Sequence, residues 1–433
     1  MVLQKDTIKE SPILDITLEY SLENYLEKIQ GKGRCEIYKE YIQIIPEFEA
    51  PILFTYRDIL SVNHKDYIIV LKLSSMEELF LYKLGYHYEP CINLIIKNRN
   101  EMLIKDMLFN ERLHRKGVKA EYRYSKSGKE KEKKGVCELK FYETAMIFTT
   151  DKGEINRISY CFINSVREDD YSLHIKTSFQ EEYIFNKMGR EFNSVKKLLS
   201  DLINQRSLDT QHYLKEKFPD LNSLIIRKAA NLLKDGLAVN INDLAQISPS
   251  LKFELENYLI PANIKEEYDF LMNMSQKTKV CIGLKRSLLG EVSGDYIWFL
   301  TPIYHINKSQ PGNVVAMEAA NIGETEGRAT YLFQMTSWEK YNSFHNIEEL
   351  HNTADSFIEN FNKCMLTINF RREPIYLSEE IMAQPKYSKY RYAIENLSEL
   401  QFLRQHFIGR VFHKSFEQWK EDFIKIISKG FIG

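Results

Sequence analysis

The chain has 433 residues, 44% of them hydrophobic and 27% charged, and its 59 Lys and Arg against 60 Asp and Glu leave a formal charge of −1. Such a chain has apolar mass for several cores, and at roughly 150 residues per domain it allows about three domains. Scarce Gly (18) and Pro (11) argue against collagen-like and broadly disordered readings, and the near-zero charge argues against coating nucleic acid by bulk electrostatics.

The opening MVLQKDTIKESPILD is charged throughout, without the apolar stretch of a signal peptide, so a cytoplasmic location is expected. No window approaches a membrane span; the best, 296–306, is short and meets His305 and Asn307. Cys35, Cys91, Cys137, Cys161, Cys281 and Cys364 lack any C-x-x-C spacing and read as reduced, buried hydrophobes. Abundant Lys, Ile, Asn and Tyr fit an AT-rich bacterial genome.

Aligned with itself, the chain shows an internal repeat. Gly33-Arg34-Cys35-Glu36 matches Gly135-Val136-Cys137-Glu138 at an offset of 102. After a two-residue slip the offset is 104: Ser61-Val62 falls on Ser165-Val166, Tyr67 on Tyr171, Leu71 on Ile175, Lys83-Leu84-Gly85 on Lys187-Met188-Gly189 and Leu94-Ile95 on Leu198-Leu199. In the first copy, short β-branched and aromatic runs at 34–38, 41–45, 52–56, 59–63, 67–73 and 78–83 predict strands, and apolar spacing of three and four predicts a helix over 89–109. The second copy predicts strands at 138–140, 145–149, 157–161, 163–167, 172–177 and 182–186 and a helix over 191–204.

Six or seven short strands followed by one helix resemble, in element order, the pleckstrin-homology-like superfold, in two tandem copies over about 18–205. The resemblance implies two bent β-barrels, each closed by its C-terminal helix, and non-catalytic binding of proteins, peptides or lipid headgroups. Lys28, Lys32 and Arg34 loosely fit the basic spacing of headgroup-binding members and are candidate phosphate or anion ligands. Between the copies, 115–134 holds nine Lys or Arg against three Glu. It reads either as a mobile linker or as a basic arm for nucleic acid or anionic lipid, carried by Lys126, Lys129, Lys131, Lys133 and Lys134.

From 207 to 274 the period turns helical, a connector punctuated by Pro249 and Pro261. Strands are predicted at 279–285, 296–304, 314–319, 329–335 and 364–370, a helix at 346–362, and one or two closing helices over 397–427. P-loop, nucleophile-elbow and zincin motifs are absent. His345 and His351, flanking Glu348 and Glu349, lie six residues apart and do not share a helix face, so no metal site is expected. His305 could serve as a general base or as a structural imidazole. Arg371 and Arg372, at a predicted strand end, are candidate anion ligands.

The expected architecture is therefore α+β and multidomain. A first pleckstrin-homology-like domain spans 1–114, a basic linker 115–134, a second such domain 135–206, a helical connector 207–275 and a C-terminal α+β domain 276–433. The expected function is recognition of a protein partner, without cofactor or catalysis. The alternatives are an enzyme with its site in the C-terminal domain, acting on a phosphorylated or nucleic-acid substrate, and nucleic-acid binding through 115–134.

Overall fold

The computed structural model describes residues 11–109, 111–127, 132–151, 153–286, 295–307, 309–321, 328–382 and 384–429. The chain forms two compact units, one of Met1–Phe109 with Glu379–Asn396 and one of Asn110–Ser378 with Leu397–Gly433.

The first unit opens with β1 (Leu14–Glu23), β2 (Lys28–Ile37), β3 (Tyr41–Pro46), β4 (Ile52–Thr55), β5 (Ile59–Lys65), β6 (Ile68–Leu73) and β7 (Glu78–Tyr82), then α1 (Tyr88–Asp106). The strands form one curled antiparallel sheet in the order β4-β3-β2-β1-β7-β6-β5. β1 lies at its centre, although the sequence reading began its strands at residue 34. It places Ile16, Leu18, Tyr20 and Leu22 inward at every second position, and α1 adds Cys91, Ile92, Ile95 and Met102 to the same core.

The second unit repeats this with β8 (Leu113–Lys126), β9 (Lys133–Tyr142), β10 (Ala145–Thr150), β11 (Ile155–Ser159), β12 (Ile163–Asp169), β13 (Ser172–Thr177) and β14 (Glu181–Asn186), in the order β11-β10-β9-β8-β14-β13-β12. α2 (Phe192–Lys217) follows. The details recur as well. Tyr56 Oη donates to the Tyr38 carbonyl at 2.7 Å, and Tyr160 Oη to that of Tyr142 at 3.1 Å. Both copies break register at the matching point of their fifth and sixth strands, Ile59/Ser61 in one and Ile163/Ser165 in the other. Asp66-Tyr67 and Asp170-Tyr171, all at positive φ, make the two-residue hairpin turns whose left-handed pairs match strand twist.

Strand pairing corrects the alignment of the copies. Tyr20 opposes Gly31 as Tyr122 opposes Gly135, and Cys35 opposes Ile44 as Leu139 opposes Phe148. Gly135 thus corresponds to Gly31, not Gly33: only β1 and β8 keep the offset of 102, and the two extra residues lie between β8 and β9. A slip of two preserves which side chains face inward, so apolar alternation could not expose it.

The predicted linker also needs correction. Leu113–Lys126 and Lys133–Tyr142 are paired strands. Buried Val118, Ala120 and Tyr122 alternate with Lys119, Glu121 and Arg123, a half-buried strand pattern hidden by its charge.

Next come α3 (Ser223–Leu232), β15 (Val239–Asn240), α4 (Ile241–Ile247), α5 (Pro249–Asn257) and α6 (Lys265–Met274), then β16 (Cys281–Arg286), β17 (Asp295–Ile303), β18 (Val314–Asn321) and β19 (Ala329–Gln334). α7 (Trp338–Ser343), α8 (Ile347–Thr367), α9 (Glu373–Tyr376), α10 (Glu379–Met382), α11 (Ser388–Asn396), α12 (Ser398–His406), β20 (Phe407–Phe412) and α13 (Phe416–Lys429) complete the chain. β15 to β20 form a third antiparallel sheet in sequence order. One face packs Ile282, Ile297, Phe299 and Leu332 into a core shared with Ile226, Leu244, Leu255 and Leu271 of the connector helices and Trp419 and Phe423 of α13. On the other, Phe333 meets Phe361 of α8 at 4.7 Å. The connector and the third sheet therefore have a common core.

Two expectations fail here. Residues 364–370 are not a strand: α8 runs to Thr367, carrying Phe357, Phe361, Cys364 and Met365 at helical spacing, and Asn369 and Phe370 turn at positive φ. The closing helices are interrupted by β20, which pairs with β19.

α10 and α11 belong to the first unit, where α11 packs on α1 and on the 3₁₀ turn Tyr56–Asp58. Tyr390, Tyr392 and Ala393 are its buried face.

Candidate binding groove

β12 is an edge strand, paired on one side with β13. An edge presents a row of backbone groups that must find water, a side chain or another strand. Alongside it runs α2, and the two flank a groove of about 650 Å³. Asn164, Val166 and Glu168 contribute from the strand, Lys197, Ser200 and Ile203 from the helix, and Leu173 from β13. Lys196 on α2 reaches Glu168 at 2.6 Å, joining the two walls.

In the first copy a side chain reaches the corresponding strand edge. Arg99 of α1 donates from Nε to the Ile59 carbonyl at 3.2 Å and from Nη2 to that of Leu60 at 2.9 Å, satisfying the start of edge strand β5. At the offset of 104 the matching residue is Ile203, which has no donor to offer. One copy bonds the start of its edge strand with a guanidinium, whereas the other places an apolar side chain in the lining of an open channel.

Of the anion candidates, Lys28, Arg34 and Arg372 are engaged elsewhere. Lys28 pairs with Glu23 at 2.8 Å, and Arg34 with Glu36 at 2.6 Å and Asp15 at 3.6 Å. Lys32 is exposed on β2. Arg371 and Arg372 follow a helix, not a strand; Arg372 donates to the Ala319 carbonyl at 3.4 Å and lies over the Tyr331 ring. Of the basic arm, Lys126 is 3.9 Å from Glu181, Lys133 is 3.8 Å from Glu154 and Lys134 is exposed on β9, while Lys129 and Lys131 lie outside the described residues.

Burial lowers the pKa of His305, and its backbone N–H donates to Tyr341 Oη at 3.0 Å. His351 Nδ1 is 2.6 Å from Tyr304 Oη. Among the described residues no group of three or more His, Cys, Asp or Glu is placed to hold a metal ion, and no helix is long and apolar enough to cross a membrane. All six cysteines are buried thiols, with Cys91, Cys137 and Cys281 pushed by burial to about 12, so they are poor nucleophiles.

Sequence reasoning missed the groove because its walls lie some forty residues apart in the chain. One trace was readable: aligning the two helices sets Arg99 against Ile203. No protein-family model matches this chain, and no curated protein matches it.

Proposed function

We propose that this chain is a non-catalytic recognition protein built on two pleckstrin-homology-like barrels, each plugged by its helix, and that the second barrel binds an extended segment of a protein partner. The segment adds as a strand beside β12, its backbone meeting the edge and alternate side chains entering the channel toward Leu173 and Ile203. The observation that carries this reading is the open groove between β12 and α2, at the place where the first copy carries Arg99. Lys197 and Arg167 against Asp201, beside the paired Lys196 and Glu168, give the lining a small positive excess and favour a segment with an acidic residue.

The test is selection of displayed peptides on the full chain, followed by titration of a selected peptide and amide exchange of the complex. The expected result is protection of alternate amides within 164–168 and an affinity at least about tenfold weaker for Ile203→Arg, roughly 1.4 kcal/mol, with Arg99→Ile binding no more weakly than the parent. Peptides that bind without protecting β12, or that tolerate Ile203→Arg, would overturn the reading.

A further inference from the structure

A second concavity lies where α2 passes the 3₁₀ turn Lys234–Gly236 and the end of β16, with a volume of about 310 Å³. That is at the lower end of the range for small-molecule sites. We propose that it binds a small organic anion, a carboxylate or a phosphomonoester, held by Lys285 and Arg286 with its organic body against Leu233, Leu284 and the Tyr213 ring.

The charges sort into used and available. Arg206, also in the lining, is engaged by Asp209 and by Glu143 at 3.4 Å. Lys285 Nζ donates to the Asp235 carbonyl at 3.0 Å and has further N–H donors. Arg286 has Glu216 only at 3.9 Å and lies 5.9 Å from the centre of the Tyr213 ring, and its side chain is 57% exposed. Set against these two cations is the Asp235 carboxyl, which burial pushes above its ordinary range despite Lys285 and Arg206.

The backbone around the cavity is preorganised. Asp235 and Gly236 both have positive φ, and Trp298 Nε1 donates to the Gly236 carbonyl at 2.7 Å. A Cβ on Gly236 would sit 2.8 Å from the Lys285 side chain, so glycine lets the lysine lie against the turn. A strained, hydrogen-bonded turn that aims a carbonyl at an ammonium fixes one wall before any ligand arrives.

Isothermal titration of the full chain with phenyl phosphate and, separately, with benzoate at matched ionic strength tests the site. Saturable one-to-one binding of either probe is expected, weakened at least tenfold by Arg286→Ala, whose exposed side chain can be removed without disturbing a core, and by Lys285→Met. Lys196→Ala, in the groove beside β12, is expected to change nothing. Binding of phenyl phosphate alone assigns a phosphomonoester, and binding of benzoate alone a carboxylate. Absence of binding by both at 10 mM, or binding indifferent to Arg286→Ala, overturns the proposal.

Discussion

His413 shows how far one residue's chemistry depends on its surroundings. Its Nδ1 lies 3.0 Å from Glu267 of α6 and its Nε2 3.0 Å from Glu318 of β18. Glu318 is wholly buried and also accepts a hydrogen bond from Thr330, which receives one from Trp419 Nε1 at 2.8 Å. Burial alone favours the neutral imidazole, but the two carboxylates outweigh it and raise the pKa from 6.5 to about 9. The folded value lies above the unfolded one, so the stabilisation is complete below about pH 6.5 and is lost as pH rises through 9. The melting temperature is therefore expected to fall between pH 7 and 9.5, and His413→Gln to flatten that fall; equal slopes in parent and variant would refute the linkage. The sequence held a hint in Glu318, a carboxylate within the apolar run VVAMEAAN, where a buried charge requires a partner. It could not name His413, ninety-five residues away.

At the scale of elements, the same strand-and-helix pattern serves two ends. α1 closes its edge with Arg99, whereas α2 presents Ile203 and continues to Lys217, about 39 Å in all at 1.5 Å per residue. That length lets α2 place Val195 and Leu199 in the core of the second sheet and Tyr213 and Leu214 in that of the third. β16 meets the turn before β15 so closely that Gly283 has no room for a side chain: a Cβ would lie 2.5 Å from Trp298 Nε1 and 2.8 Å from the Gly236 and Leu237 carbonyls. Gly283→Ala is expected to cost about 1–3 kcal/mol through overpacking, read as a lower urea midpoint with unchanged slope; an unaltered midpoint would show that the strand can yield. The strands were mostly legible because alternation is local. β1 escaped notice, and β8 was hidden by the charges on its outer face.

For the molecule as a whole, chain order and compact unit do not coincide. Residues 379–396 follow α9 in sequence, yet they pack in the unit that holds β1 to β7. Tyr392 is buried there, within electrostatic reach of Arg99 and Asp106 of α1. Tyr392→Ala is expected to destabilise this unit by about 3 kcal/mol, as for other large aromatic truncations. Native-state hydrogen exchange should then quicken in α1 and β5 to β7 while the amides of β8 to β14 keep their protection. Uniform quickening across both units would mean that they unfold as one.

The sequence by itself determined the duplication, most of the strands and the helix after each copy. These rest on periods of two and of 3.6 residues that each segment carries alone. Tertiary structure alone decided the register between copies, the capture of α11 by the first unit, the pairing of Lys28 and Arg34 with carboxylates, and the open groove between β12 and α2. Each depends on which side chains meet across long stretches of chain, and such meetings leave no periodic mark on either segment.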